Sequence, residues 1–76
     1  MKIEDFNPTK GNGKHFVEVQ LYNNVSLISK VTSMLWLLDQ GWTDEGIHIE
    51  SDNYGGFYGI YYEFSMDSKT FNEKYK

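Results

Sequence analysis

The chain has 76 residues, no cysteine, and seven lysines without an arginine against eleven carboxylates, for a net charge of −4. That is one small domain, residues 1–76, with no disulfide or thiolate metal site to hold it together. It also lacks the arginines that grip phosphates and guanines in pairs, so direct nucleic-acid binding is not expected. An apolar content of 39% excludes a disordered chain.

The opening stretch, "MKIEDF", reads as a short first strand, and the turn-rich "NPTKGNGK" follows it. "HFVEVQLY", His15 to Tyr22, alternates. Val17, Val19 and Leu21 point one way, and Phe16, Glu18, Gln20 and Tyr22 the other. Together these segments predict a hairpin with a long loop, whose turn includes Gly11-Asn12-Gly13.

"NNVSLISKVTSMLWLLDQG" reads as a helix with Asn24 as N-cap and Gly41 as its stop. Leu27, Ile28, Val31, Met34, Leu35 and Leu38 share one stripe at helical spacing, and that stripe is the expected core face. Trp36 and Leu37 are then left on the outer side, to be covered by the "GWTDEG" loop and Trp42 or by a partner. With Trp42 they become candidate dimer contacts, because a core this small is often completed by a second subunit.

"GIHIES" predicts a short strand with Ile47 and Ile49 inward, and "DNYGG" is turn chemistry. "FYGIYYEF" is the last strand. Tyr58, Ile60, Tyr62 and Phe64 form its only set with an aliphatic residue and no charge, so they are placed against the helix. The tail "MDSKTFNEKYK" predicts a short helix that puts Phe71 and Tyr75 on one face. The architecture expected is therefore α+β, in the order β-β-α-β-β-α: a two-layer sandwich of a four-stranded, antiparallel-rich sheet on one helix, with a short C-terminal helix.

The outer sheet face would then carry Phe16, Glu18, Gln20, Tyr22, His48, Glu50, Phe57, Tyr61 and Glu63. Several rings among carboxylates suit a binding surface better than a plain solvated face. Charge adds to this. Residues 31–68 hold seven carboxylates and no lysine, whereas the flanking segments are weakly positive. Such a block attracts a basic partner.

Catalytic patterns are missing. His48 and Glu50, two apart on a strand face, are two ligands and not a metal site. "KGNGKH" lacks the spacing of a phosphate-binding loop. No residue set points to a catalytic group, a metal or a cofactor. The longest apolar run, "MLWLL", is far too short to cross a bilayer. The first ten residues contain no apolar leader, so a cytoplasmic location is expected.

The function expected is a non-enzymatic interaction module, working as a homodimer. It would bind a protein with a basic surface through Phe16, Glu18, Tyr22, His48, Glu50, Asp52, Phe57, Tyr61 and Glu63. In its general profile (tiny, acidic, without Cys or Arg) the chain resembles phage-encoded inhibitors of host defence systems. That resemblance implies a nucleic-acid-handling host protein as target, met in the host cytoplasm. The alternatives are a DNA mimic built on the carboxylates of residues 39–67, and a small ligand-binding module or enzyme.

Overall fold

Asn12 and Gly13 both take positive φ, 52° and 77°. Two such residues in succession form the tight turn whose twist matches paired strands. They join β1 (Thr9–Gly11) to β2 (Lys14–Gln20) with Gly11 opposite Lys14. The computed structural model describes residues 1–76 apart from the side chain of Phe57. The hairpin is thus closed by two residues, not by the long loop expected, because β1 begins only at Thr9.

"MKIEDF" is not a strand. Ile3–Phe6 form a 3-10 helix whose start is closed by Lys2 N–H donating to the Asp5 carboxylate at 3.2 Å. Residues three apart line up on such a helix. Ile3 is buried in the core, and Phe6 packs against it.

α1 spans Leu27–Asp39 and is capped by Ser26, whose Oγ accepts from Ser29 N–H, rather than by Asn24. Its C-terminal end explains its orientation. Gly41, at φ 95°, donates to the Leu38 carbonyl at 3.0 Å, and Trp42 N–H donates to the Leu37 carbonyl at 3.1 Å. This paired closure brings the side chain after the glycine onto the helix's last inward residue. Leu37 and Trp42 are accordingly 0% and 3% exposed.

The helix therefore packs through Leu37, and Trp36 beside it stacks on Phe6 at 5.5 Å. The stripe expected to be core is largely outside: Leu27, Ile28 and Leu35 are 74%, 79% and 60% exposed. The three candidate dimer contacts, Trp36, Leu37 and Trp42, serve the chain's own interior instead.

β3 (Thr43–Ser51) and β4 (Phe57–Asp67) complete an antiparallel sheet in the order β1-β2-β4-β3. β3 starts three residues earlier than expected and carries a bulge at Glu45, where Asp44 pairs with Phe64 and Gly46 with Glu63. The register puts Val17 beside Phe64 and sets Val19, Tyr62 and Ile47 in one row. Ile49 and Ile60 form the next row. Ile47 and Ile49 do point to the helix side, but they are 62% and 67% exposed, because α1 lies over β2 and leaves β3 uncovered.

α2 (Ser68–Lys74) is capped by the Asp67 carboxylate, which accepts from Lys69 and Thr70 N–H. Phe71 and Tyr75 share a face, as their spacing predicts. Phe71 stacks on His15 at 3.8 Å, and Trp42 Nε1 donates to Tyr75 Oη at 3.0 Å. His15 shares the face of Val17, so α2 joins the helix layer. The core is Ile3, Val17, Val19, Leu37, Trp42, Phe64 and Met66. Among the described residues no helix is long and apolar enough to cross a membrane.

Candidate interaction face

Because both helices lie on one side, the opposite sheet face is left open. Strand alternation delivers Phe16, Glu18 and Gln20 from β2 and Gly59, Tyr61, Glu63 and Ser65 from β4. β3 adds His48 and Glu50, facing Tyr61 and Gly59. The tail covers none of these residues, since α2 packs on the other side.

Glu18 and Glu63 stand directly opposite each other on neighbouring strands. Like charges in that position cost stability. His48 and Tyr61 stack in parallel at 5.4 Å beside them. His48 Nε2 lies 3.7 Å from Glu63 Oε1 and 3.3 Å from the Glu45 carbonyl. The Glu18 carboxyl is held above the usual carboxylate range, first by partial burial, then by the charges of Glu50 and Glu63, with His48 pulling the other way. Burial and the same three carboxylates push the Tyr61 phenol up. The lysine of this face, Lys14, lies at its far end, paired with Asp67.

Gly59 is buried, and a Cβ there would stand 3.5 Å from Gln20 Oε1, so Gln20 fills the notch that the glycine leaves in the ring row.

The expected site residues divide. Glu18, His48, Glu50, Tyr61 and Glu63 come together, and Phe16 lies at the β1 edge of the same face, its ring 3.9 Å from where a Gly11 Cβ would be. Tyr22 lies in the loop beyond β2, 72% exposed. Asp52 belongs to the β3–β4 turn, where its carboxylate accepts from Tyr54 and Gly56 N–H. The Phe57 side chain lies outside the described residues. Sequence reasoning missed Glu45, which reaches this face only because of the bulge, where it accepts from Ser65 Oγ at 2.8 Å.

Among the described residues no three His, Asp or Glu side chains are grouped to hold a metal ion. A hollow of about 480 Å³ is lined, among the described residues, by Leu21, Tyr22, Asn23 and Asn24, which include no acid–base pair.

The raised Glu18 gives a pH prediction. The folded chain keeps the Glu18 proton to higher pH than the unfolded chain does, so stability falls as pH rises through that window and the full penalty applies above it. Glu18→Gln removes the penalty. Its Tm at pH 7 should exceed the parent's by a degree or a few, since cross-strand pairs are worth about 0.2–1 kcal/mol, solvent screening keeps an exposed pair toward the low end, and about 1 kcal/mol moves Tm by about 4–8 °C in a domain of this size. The gap should close below the carboxylate range. A constant gap from pH 3 to 8 would show that the charge is not the cause.

Comparison with known proteins returns nothing: no protein family, no curated protein and no solved structure matches the chain.

Proposed function

We propose that this chain is a non-enzymatic binding module whose outer sheet face docks on a basic protein surface. The observation that carries the reading is the gathering of Glu18, Glu50 and Glu63 around the His48–Tyr61 stack. A fold selected for stability alone would not oppose Glu18 to Glu63. A partner's lysine or arginine placed between them relieves the repulsion, and the adjoining Tyr61 ring offers it a cation–π contact. The ring stack supplies apolar area, and the carboxylates set orientation and approach rate. In the profile the chain shares with phage inhibitors, the partner is a host protein with a basic, nucleic-acid-handling surface, and binding blocks that surface.

Anchored docking has better support than imitation of DNA. Asp44 accepts from Tyr62 Oη, Asp52 holds a turn, and Glu45 accepts from Ser65. Three carboxylates of the 39–67 stretch are thereby engaged within the chain rather than spaced along a phosphate-like track.

The test is affinity capture from a nuclease-treated lysate of the source cells or their host, at low and high salt, with Tyr61→Ala in parallel. A basic protein that stays bound at high salt and is weakened about 30-fold or more by Tyr61→Ala supports docking, since an anchor contributes that much at a hot spot. Capture that collapses with salt and ignores Tyr61 supports mimicry. If Tyr61→Ala has no effect at either salt, the face is not the binding surface.

A further inference from the structure

The chain keeps more surface than its size requires. It exposes 5450 Å², where a folded monomer of its mass exposes about 4,800 Å². Its radius of gyration is 13.2 Å, against about 11.4 Å for a compact domain of this length. Much of the excess is apolar and lies in one place, on the side away from the acidic face.

The place follows from helix geometry. Trp36 and Leu38 flank Leu37 on opposite sides of α1. Trp36 turns to Phe6 of the 3-10 helix, which leads directly into the edge strand β1. The flank of Leu38 therefore looks the other way, over β4 and β3. It carries Leu27, Val31 and Leu35 as well, 74%, 40% and 60% exposed. Below it lies the sheet half that no helix covers, with Ile47 and Ile49 at 62% and 67%. Helix flank and open sheet form a step with an apolar wall and an apolar floor, and none of these residues is charged.

We propose that a second copy of this chain fills the step, the α1 wall of each protomer lying on the β3–β4 floor of the other. Three observations select this occupant. First, the chain carries both halves of the contact, a ridge and a floor, and a two-fold axis applies each to the other in a closed pair. Second, the exposed parts of these side chains amount to roughly several hundred Å² per protomer, at or above the about 300–600 Å² of the largest patch on a typical monomer and approaching the about 800 Å² that each partner buries in a standard interface. Third, the wall and floor side chains are uncharged on a chain of net charge −4, and the carboxylate at the floor's edge, Asp44, is already bonded by Tyr62 Oη, which suits neither the basic partner proposed for the outer face nor an anionic lipid surface. The pairing leaves Glu18, Glu50, Tyr61 and Glu63 free, so it presents two acidic faces, and it does not rest on the docking proposed for them.

The test is sedimentation velocity of the full chain from about 1 to about 100 µM, a range suited to an interface of this size. The parent should sediment as a dimer. Leu35→Lys on the wall and Ile49→Glu on the floor should each weaken the dimer by about 30-fold or more, with unchanged circular dichroism because both residues are exposed in the protomer. Mixing the two variants should restore the dimer, because one wall–floor contact stays intact and the other becomes a Lys–Glu pair. Tyr61→Ala should leave it unchanged. A parent that is monomeric throughout overturns the proposal. So does a dimer indifferent to both variants, or a mass that keeps growing with concentration, which would mean an open-ended contact.

Discussion

Leu37→Ala will lower the free energy of unfolding by about 2–5 kcal/mol, whereas Leu35→Ala, measured in dilute monomer, will change it by less than about 0.5 kcal/mol. Both remove the same atoms from the same helix, two residues apart, so helix propensity cancels in the comparison. Leu37 is fully buried among Val17, Phe64 and Trp42, while Leu35 is 60% exposed. A cavity at Leu37 opens below the closure that fixes the helix end, so neighbours can collapse into it only by moving Trp42. A domain of this length has roughly 4–11 kcal/mol in all, and Leu37→Ala therefore takes a large share of it. Urea denaturation of both variants decides the matter. Equal losses would mean that the helix presents its long apolar stripe to the sheet after all.

That stripe is where sequence reading and structure part. Counting apolar residues at helical spacing favours Leu27, Ile28, Val31, Met34, Leu35 and Leu38 over the pair Trp36 and Leu37, and an amphipathic helix normally buries its richer face. The local signal that outweighs the count is "LLDQGW". A glycine closing the helix, with a tryptophan after it and a leucine five positions before that tryptophan, forms one apolar clasp. It is written in the chain but invisible to a periodicity argument. Strand alternation, by contrast, was enough to sort Val17 and Val19 from Glu18 and Gln20, because a period of two leaves no third option.

For the outer face, alternation within single strands sufficed to put Glu18 with Gln20, His48 with Glu50, and Tyr61 with Glu63. What it could not supply was the strand order. The direct opposition of Glu18 and Glu63 exists because β4 lies between β2 and β3, a long-range pairing that no local pattern encodes. The bulge that brings Glu45 to Ser65 was equally out of reach, although Gly46, at φ 86°, marks the place where the backbone has to leave the regular pleat.

The uncovered half of the sheet and the outward stripe of α1 have one cause. With Trp42 clasped to Leu37, the helix is rolled toward β2 and the 3-10 helix, and its long stripe is turned away from the sheet. β4 is eleven residues long and β3 nine, so the hairpin they form reaches past the ground that a thirteen-residue helix over β2 can cover. The same closure that completes the small core thus leaves a second apolar surface outside it.

Trp42→Ala should cost about 3–5 kcal/mol and release α2. Trp42 is 3% exposed, meets Phe71 edge-on at 6.0 Å and donates to Tyr75 Oη, which in turn donates to Gln40 Oε1 at 3.3 Å. One side chain therefore joins the end of α1 to the whole of α2. Trp42→Phe separates its two roles. It keeps a ring in the core but loses the donor to Tyr75, at a cost of about 1–2 kcal/mol.

The Tyr75 phenol reports the difference. Burial holds it above its ordinary value, and the bond from Trp42 works against that rise. In Trp42→Phe the tyrosine should titrate at higher pH than in the parent, because α2 stays docked and the opposing bond is gone. In Trp42→Ala it should titrate lower, near a free tyrosine, because the helix has left. Amide exchange of residues 69–75 should follow the same division, protected in Trp42→Phe and open in Trp42→Ala. If α2 keeps its protection in Trp42→Ala, then the His15–Phe71 stack alone holds it, and Trp42 is a core residue with no part in docking the C-terminal helix.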